Sequence, residues 1–221
     1  MLTTSDLVAA LAADAKPVRR LRPPTLRAAL WLLLAGLLVL ALAVLLGLRP
    51  DLAEHLRQPV FAVMLLASLS TGALAAVTAF HLSLPDRSRR WLWLPVPAFL
   101  LWVSSIGYGC LTDWVRIAPD SIVLGSTLQC FATALIVCLP LSLALLLMLR
   151  HAVWLDPVPV AMAGGLALAG VSATALSLLH PLDATVMVLL WNLGLAALMV
   201  ALAGRFGRWL FAWAEPRSMG G

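Results

Sequence analysis

Apolar residues fall in long continuous runs along this chain, with no regular alternation between apolar and polar positions. The runs extend from Ala28 to Leu48, Val60 to Leu84, Leu92 to Leu111, Ile122 to Leu149, Val158 to Leu179 and Ala184 to Ala203. Each holds the ~20 residues that an α-helix needs to cross a hydrocarbon layer of ~30 Å. Backbone polar groups in hydrocarbon must bond within their own segment, so such runs form helices. Short segments with Pro, Asp, Arg or His separate them. The pattern predicts an all-α fold, a polytopic membrane bundle of six transmembrane helices. The fourth run is the longest, and its first turns are expected in the interface.

Composition sharpens this picture. Of 221 residues, 62% are apolar and 11% charged, which lies outside the range of soluble domains. The net charge of +5 does not point to nucleic acid, because the basic residues gather beside apolar runs and no nucleic-acid-binding motif is present. Their placement sets an orientation instead. With the N-terminus inside, the cytoplasmic segments hold Lys16, Arg19, Arg20, Arg22, Arg27, Arg87, Arg89, Arg90, Arg150, Arg205, Arg208 and Arg217, whereas the other side has Arg49, Arg57 and Arg116. This bias places both termini in the cytoplasm. Trp31, Trp91, Trp93, Trp154, Trp209 and Trp213 fall near the inner boundary, Tyr108 and Trp114 near the outer one, and Trp102 and Trp191 deeper. Ala41-Leu42-Ala43 has the small-x-small form of a signal-peptide cleavage site, but it lies inside the first run after a long polar leader. An uncleaved span is the expectation.

Three parts follow: a cytoplasmic N-terminal segment 1–27, a six-helix transmembrane domain 28–205 and a cytoplasmic tail 206–221. In the first, Thr3 with Asp6 resembles a capping box, Leu7, Val8 and Leu11 form an apolar stripe, and Pro17 supplies a stop. A helix of about a dozen residues is marginal alone in water. Its stripe needs a partner protein or the bilayer surface, and both readings fit the residues.

Within the spans, Ala161, Gly165, Ala169 and Ala173 recur every four residues, as do Ser68, Gly72 and Ala76. Such rows predict close helix packing. Pro95, Pro97 and Pro140 lie at or inside spans and are expected to bend them. No Asp, Glu, Lys or Arg falls at the centre of a span, which argues against an ion-coupled transporter, and Asn192 suits cross-helix hydrogen bonding. Metalloprotease, nucleophile-elbow, nucleotide-loop and paired-carboxylate patterns are absent, so no catalysis is expected.

Cys110 and Cys130 flank one outer loop, and Cys138 lies ~12 Å of helical rise deeper than Cys130. The first two fit a redox pair, a transient soft-metal site or inert packing equally in their spacing. His180, beside Pro181 and before Asp183, is a candidate third ligand or a solvated loop residue. No resident cofactor is called for.

The run Asp6-Leu7-Val8-Ala9-Ala10-Leu11-Ala12-Ala13-Asp14, followed by Pro17-Val18-Arg19-Arg20 and Pro23-Pro24, resembles the start of the NrsF family of integral-membrane negative regulators of sigma F. Gly47-Leu48-Arg49-Pro50-Asp51-Leu52, the basic segment Ser83 to Trp91, Gly107-Tyr108-Gly109-Cys110-Leu111-Thr112-Asp113-Trp114 and His180-Pro181-Leu182-Asp183-Ala184 extend the resemblance over nearly the whole chain. It implies an anti-sigma factor of the bacterial inner membrane. Such a protein holds an extracytoplasmic-function sigma factor inactive and releases it under stress such as heavy metal or oxidant. The resemblance assigns partner binding to the cytoplasmic N-terminus, here Leu7, Val8, Leu11, Asp14, Pro17, Val18, Arg19 and Arg20. It assigns signal sensing to two cysteines, which map onto Cys110 and Cys130 and leave Cys138 as an extra. Where relatives carry Trp-His in the last helix, this chain has Trp191-Asn192, which counts against metal binding there. A small-solute or metal transporter and a structural membrane subunit are the alternatives.

Overall fold

The computed structural model describes residues 22–84, 87–113, 124–149 and 157–179, together with single helical positions at 4, 13, 197, 198, 201 and 205. The expected N-terminal helix, the sixth span and the C-terminal tail otherwise lie outside the described residues. Those residues contain helices and turns and no strand. The helices are α1 (Pro24–Leu46), α2 (Leu52–His55), α3 (Pro59–Leu82), α4 (Val96–Asp113), α5 (Leu124–Leu149) and α6 (Pro157–Leu179), with a 3-10 turn over Arg89–Trp93. Among the described residues, five segments are long and apolar enough to cross a bilayer, the third of them combining the 3-10 turn with most of α4.

Proline fixes where three of these helices begin. Pro24, Pro59 and Pro157 each occupy the first helical position, where the missing N–H is no loss and the ring already holds a helical φ. The first span therefore starts four residues before the apolar run does and takes Arg27 into its first turn, with the Arg27 N–H bonded to the Pro23 carbonyl at 3.1 Å. At its other end α1 stops on Gly47, whose φ of 82° is costly for residues bearing a Cβ. The one-turn helix α2 lies in the loop that follows, where the sequence pattern predicts only a connection.

Side-chain and backbone bonds show how the helices alternate. Arg27 at the start of α1 meets Phe80 at the end of α3 and Met148 at the end of α5. Thr78, near the end of α3, bonds the Trp91 carbonyl just before α4 at 3.2 Å. At the opposite end the Arg49 N–H donates to the Leu178 carbonyl at 3.2 Å, joining the chain after α1 to the last turn of α6. Successive long helices thus run up and down. Arg22, Arg27, Arg87, Arg89 and Arg90 collect at one end, called the basic end below, and Arg49 and Arg57 at the other.

The centre of the bundle is the pair α3 and α6. Of the apolar stretch of α6, 78% is buried inside the protein, against 17% for α1. Exposed Leu33, Leu37, Leu40 and Leu45 on α1 need no protein partner in lipid, because acyl chains are as apolar as they are. α4 lies on α3 and inserts Trp102 and Ile106 among Ala67, Ala169 and Ala173, while α5 packs on α6 and α1.

The small-residue rows are used, with one change of register. Gly72 does make the close approach expected of it. Its counterpart is Gly170, where an added Cβ would stand 2.6 Å from Gly72 N and 2.7 Å from Ser68 O. In the row Ala161, Gly165, Ala169 and Ala173, the last two pack on the Trp102 cluster. A central helix is packed on several sides, so a single small-residue row does not identify which face meets the nearest backbone. Ser68 and Thr174 add a hydroxyl pair across α3 and α6 at 3.1 Å.

Candidate functional site

The N-terminal leader enters the bundle at Arg22-Pro23-Pro24, so its exit is governed by the first turn of α1. There Arg27 is 5% exposed. A buried guanidinium must recover its lost hydration from donors' partners and polarizable faces. Nη2 donates to the Met148 carbonyl near the described end of α5. The positive charge also lies at the negative end of that helix's dipole. The guanidinium carbon sits 5.2 Å from the centre of the Phe80 ring, within cation–π range. One turn on, fully buried Trp31 donates its indole N–H to the Leu141 carbonyl at 3.1 Å. Two side chains of α1 are thus fastened to two carbonyls of α5.

Beside this junction, buried His81 stacks on Trp91 at 4.0 Å with the rings 8° from parallel. With the Thr78 bond, this stack holds the 3-10 turn against the end of α3. The turn then presents Arg90 and exposed Trp93, which with Trp91 and Leu94 line an open groove of about 360 Å³. A cation and an indole side by side suit the headgroup level of a bilayer.

The opposite end is built on Arg49, itself 5% exposed. Nε and Nη2 each donate to a carboxylate oxygen of Asp51 at 2.7 Å, the fork geometry in which arginine and carboxylate bind most strongly. The Arg49 Nη2 lies 3.3 Å from His55 Nε2, and the guanidinium stands 5.7 Å from the Phe61 ring centre. His55 Nδ1 faces both the Asp51 carbonyl at 3.1 Å and the Asp51 carboxylate at 3.3 Å. Hydrogen bonds from the Arg49 side chain, then one from the Asp51 backbone, then the charges of Arg49 and His55 hold the pKa of the Asp51 carboxyl down to about 2 against a smaller effect of burial. The sequence carried a signal for this cluster in the spacing of Asp51 and His55, one helical turn apart, and its apolar runs drew attention elsewhere.

The expected site residues stand as follows. Leu7, Val8, Leu11, Asp14, Pro17, Val18, Arg19, Arg20 and His180 lie outside the described residues. Cys110 and Cys130 lie in the helical backbone of α4 and α5, in the halves nearer the opposite end; their side chains lie outside the described ones. α4 packs along α3, and α5 along α6 and α1. Cys138, deeper in α5, is buried, with Sγ 2.9 Å from Ser172 Oγ on α6. Among the described residues no three His, Cys, Asp or Glu side chains gather as metal ligands.

This architecture is that of a helical bundle suited to multi-pass insertion in a membrane. The family model described as negative regulator of sigma F, NrsF, matches residues 11–213, and the chain belongs to that family. No curated protein and no solved structure matches it. Membership gives the chain a role in negative regulation and a sigma factor as its partner.

Proposed function

We propose that this protein is an anti-sigma factor of the bacterial inner membrane that sequesters an extracytoplasmic-function sigma factor and releases it under stress such as heavy metal or oxidant. The leader carries the binding. Its Leu7, Val8 and Leu11 stripe, with Asp14, Pro17, Val18, Arg19 and Arg20, covers surfaces the sigma factor needs for polymerase. An amphipathic helix too short to be stable alone gains order by laying its apolar face in a partner's groove. The observation that carries this reading is the family match, which begins within the leader at residue 11 and runs through the bundle. The excess of Arg and Lys at the end where the leader joins supports a cytoplasmic position for it. Cys110 and Cys130, on the other side of the membrane, take up the signal through their thiol chemistry.

Co-purification of the detergent-solubilised chain with candidate sigma factors, with and without residues 1–22, tests the binding. Capture by the full chain and loss of capture on deletion is the expected result, together with release of the target genes from repression in cells. Unchanged repression without residues 1–22 would remove the leader from this role, and no capture at all would favour a transporter or a structural subunit. For sensing, a Cys110→Ser, Cys130→Ser double variant should stay repressed on exposure to cadmium or diamide. A normal response would move sensing elsewhere in the chain.

A further inference from the structure

Among the described cations at the basic end, Arg27 on α1 is the buried one, set against α3 and α5. Its contacts join the start of α1, the end of α3 and the end of α5, and α5 is the helix that carries Cys130. Between Cys130 and the two carbonyls that α1 grips, α5 contains Pro140. Proline gives no N–H to the Ile136 carbonyl and crowds it, so the helix is weakest against bending there. Leu141 and Met148 lie on the basic-end side of that weak point. A tilt of the basic-end half of α5 about that point would be felt by α1 through the Trp31–Leu141 and Arg27–Met148 bonds. Of these, Arg27 is nearer the leader, three residues after Pro24.

Arg27 also has capacity in reserve. Its Nη1 is buried and has no hydrogen-bond partner among the described residues, an arrangement that costs free energy and is worth explaining where it occurs. The last carbonyls of α5 are acceptors of the kind it lacks. A rotation of that helix end would offer Nη1 another of these carbonyls while the guanidinium stays over Phe80.

We infer that Arg27 is a positioning residue that ties the exit of the leader to the basic end of α5, so that α5 governs how the leader is presented. This rests on the reading of the leader as the sigma-binding segment. The contact with Phe80 seats the guanidinium; the donor to the Met148 carbonyl makes the link. Pro23-Pro24 then transmits the setting, because two consecutive prolines leave little freedom between the first turn and Arg22.

The test is a distance measured between spin labels on the full chain in detergent, with its three cysteines replaced by Ser. One pair is Arg22→Cys with Leu147→Cys, across the link; a second, Leu37→Cys with Leu139→Cys, reports the α1–α5 packing further in. Arg27→Met keeps the length of the side chain and removes its donors, and Arg27→Lys keeps the charge and one route to a carbonyl. The expected result is a narrow first distance in the parent and in Arg27→Lys, a widened and shifted one in Arg27→Met, and a second distance unchanged throughout. A first distance unaltered in Arg27→Met overturns the link. So does a second distance that moves with it, since Arg27 would then be a general packing residue. Sigma-factor capture by the same labelled chains separates the two readings. Failure of the parent to capture any sigma factor removes the function proposed for the leader and leaves the distances to decide the link, whereas equal capture by parent and Arg27→Met removes control by α5.

Discussion

At the scale of single residues, two tryptophans give an internal comparison. Trp31 and Trp102 are both fully buried. Trp31 bonds the Leu141 carbonyl, but Trp102 Nε1 has no partner among the described residues. Replacing either by Phe removes the same atoms, so the difference between the two isolates the hydrogen bond. Trp31→Phe should cost about 0.5–1 kcal/mol more than Trp102→Phe, the range for such bonds in membrane proteins. Thermal unfolding in one detergent measures it, and equal losses would mean that the indole bond adds nothing. Asp51 offers a second test. Its folded value of about 2 lies below the ordinary 3.8, so folding favours the ionised carboxylate. That contribution is complete above the ordinary value and is lost as pH falls through 2. The melting temperature of the parent should therefore fall across that interval, and Asp51→Asn should lower it at neutral pH and flatten the slope. A slope that survives in Asp51→Asn would assign acid sensitivity to other groups.

Among elements, the sequence made the helices plain and their neighbours obscure. Length and hydropathy marked the five described spans because the bilayer imposes both, and Pro24, Pro59 and Pro157 set the starts of three. Which helix occupies the centre was not legible. α1 is the more apolar of α1 and α6, but only packing distinguishes the lipid-facing Leu37 from the buried Leu168. Arg27 reads from sequence as one more orienting charge, since its burial depends on Phe80 and Met148, 53 and 121 residues away. The glycines convert the packing into a graded prediction. Gly170→Ala meets only backbone, at 2.6 to 2.7 Å, so α3 and α6 must separate. Gly164→Ala meets the tip of Leu145 at 2.7 Å, which can turn away, and Gly36→Ala meets nothing within 4 Å. Losses of roughly 1–3 kcal/mol or more, then less, then none are expected in that order, by the cost of overpacking. The last variant gains slightly from helix propensity. Thermal midpoints that fail to rank this way would show that the α3–α6 contact is looser than these distances.

For the whole molecule, the distribution of charge makes a claim that packing alone does not. The bonds from Arg27 to Met148 and from Arg49 N–H to Leu178 O fix which helix ends lie together, without saying which end faces the cytoplasm. The proposal that the basic end is cytoplasmic rests on the bias of Lys and Arg, because positively charged segments resist translocation. Two buried arginines, one at each end, do not disturb the rule: Arg49 is matched by Asp51, whereas the cations of the basic end greatly outnumber its acids. Single cysteines introduced at Arg90 and Arg57, both exposed, in a chain with its own cysteines replaced by Ser, should label oppositely. A membrane-impermeant maleimide added to intact spheroplasts should modify Arg57→Cys and spare Arg90→Cys until the membrane is opened. The reverse pattern would turn the leader away from the cytoplasm and out of reach of any sigma factor, so this measurement tests the proposed function at its most general requirement. Labelling of both positions in intact cells would instead contradict the up-and-down order of α3 and α4, because Arg57 precedes α3 and Arg90 follows it.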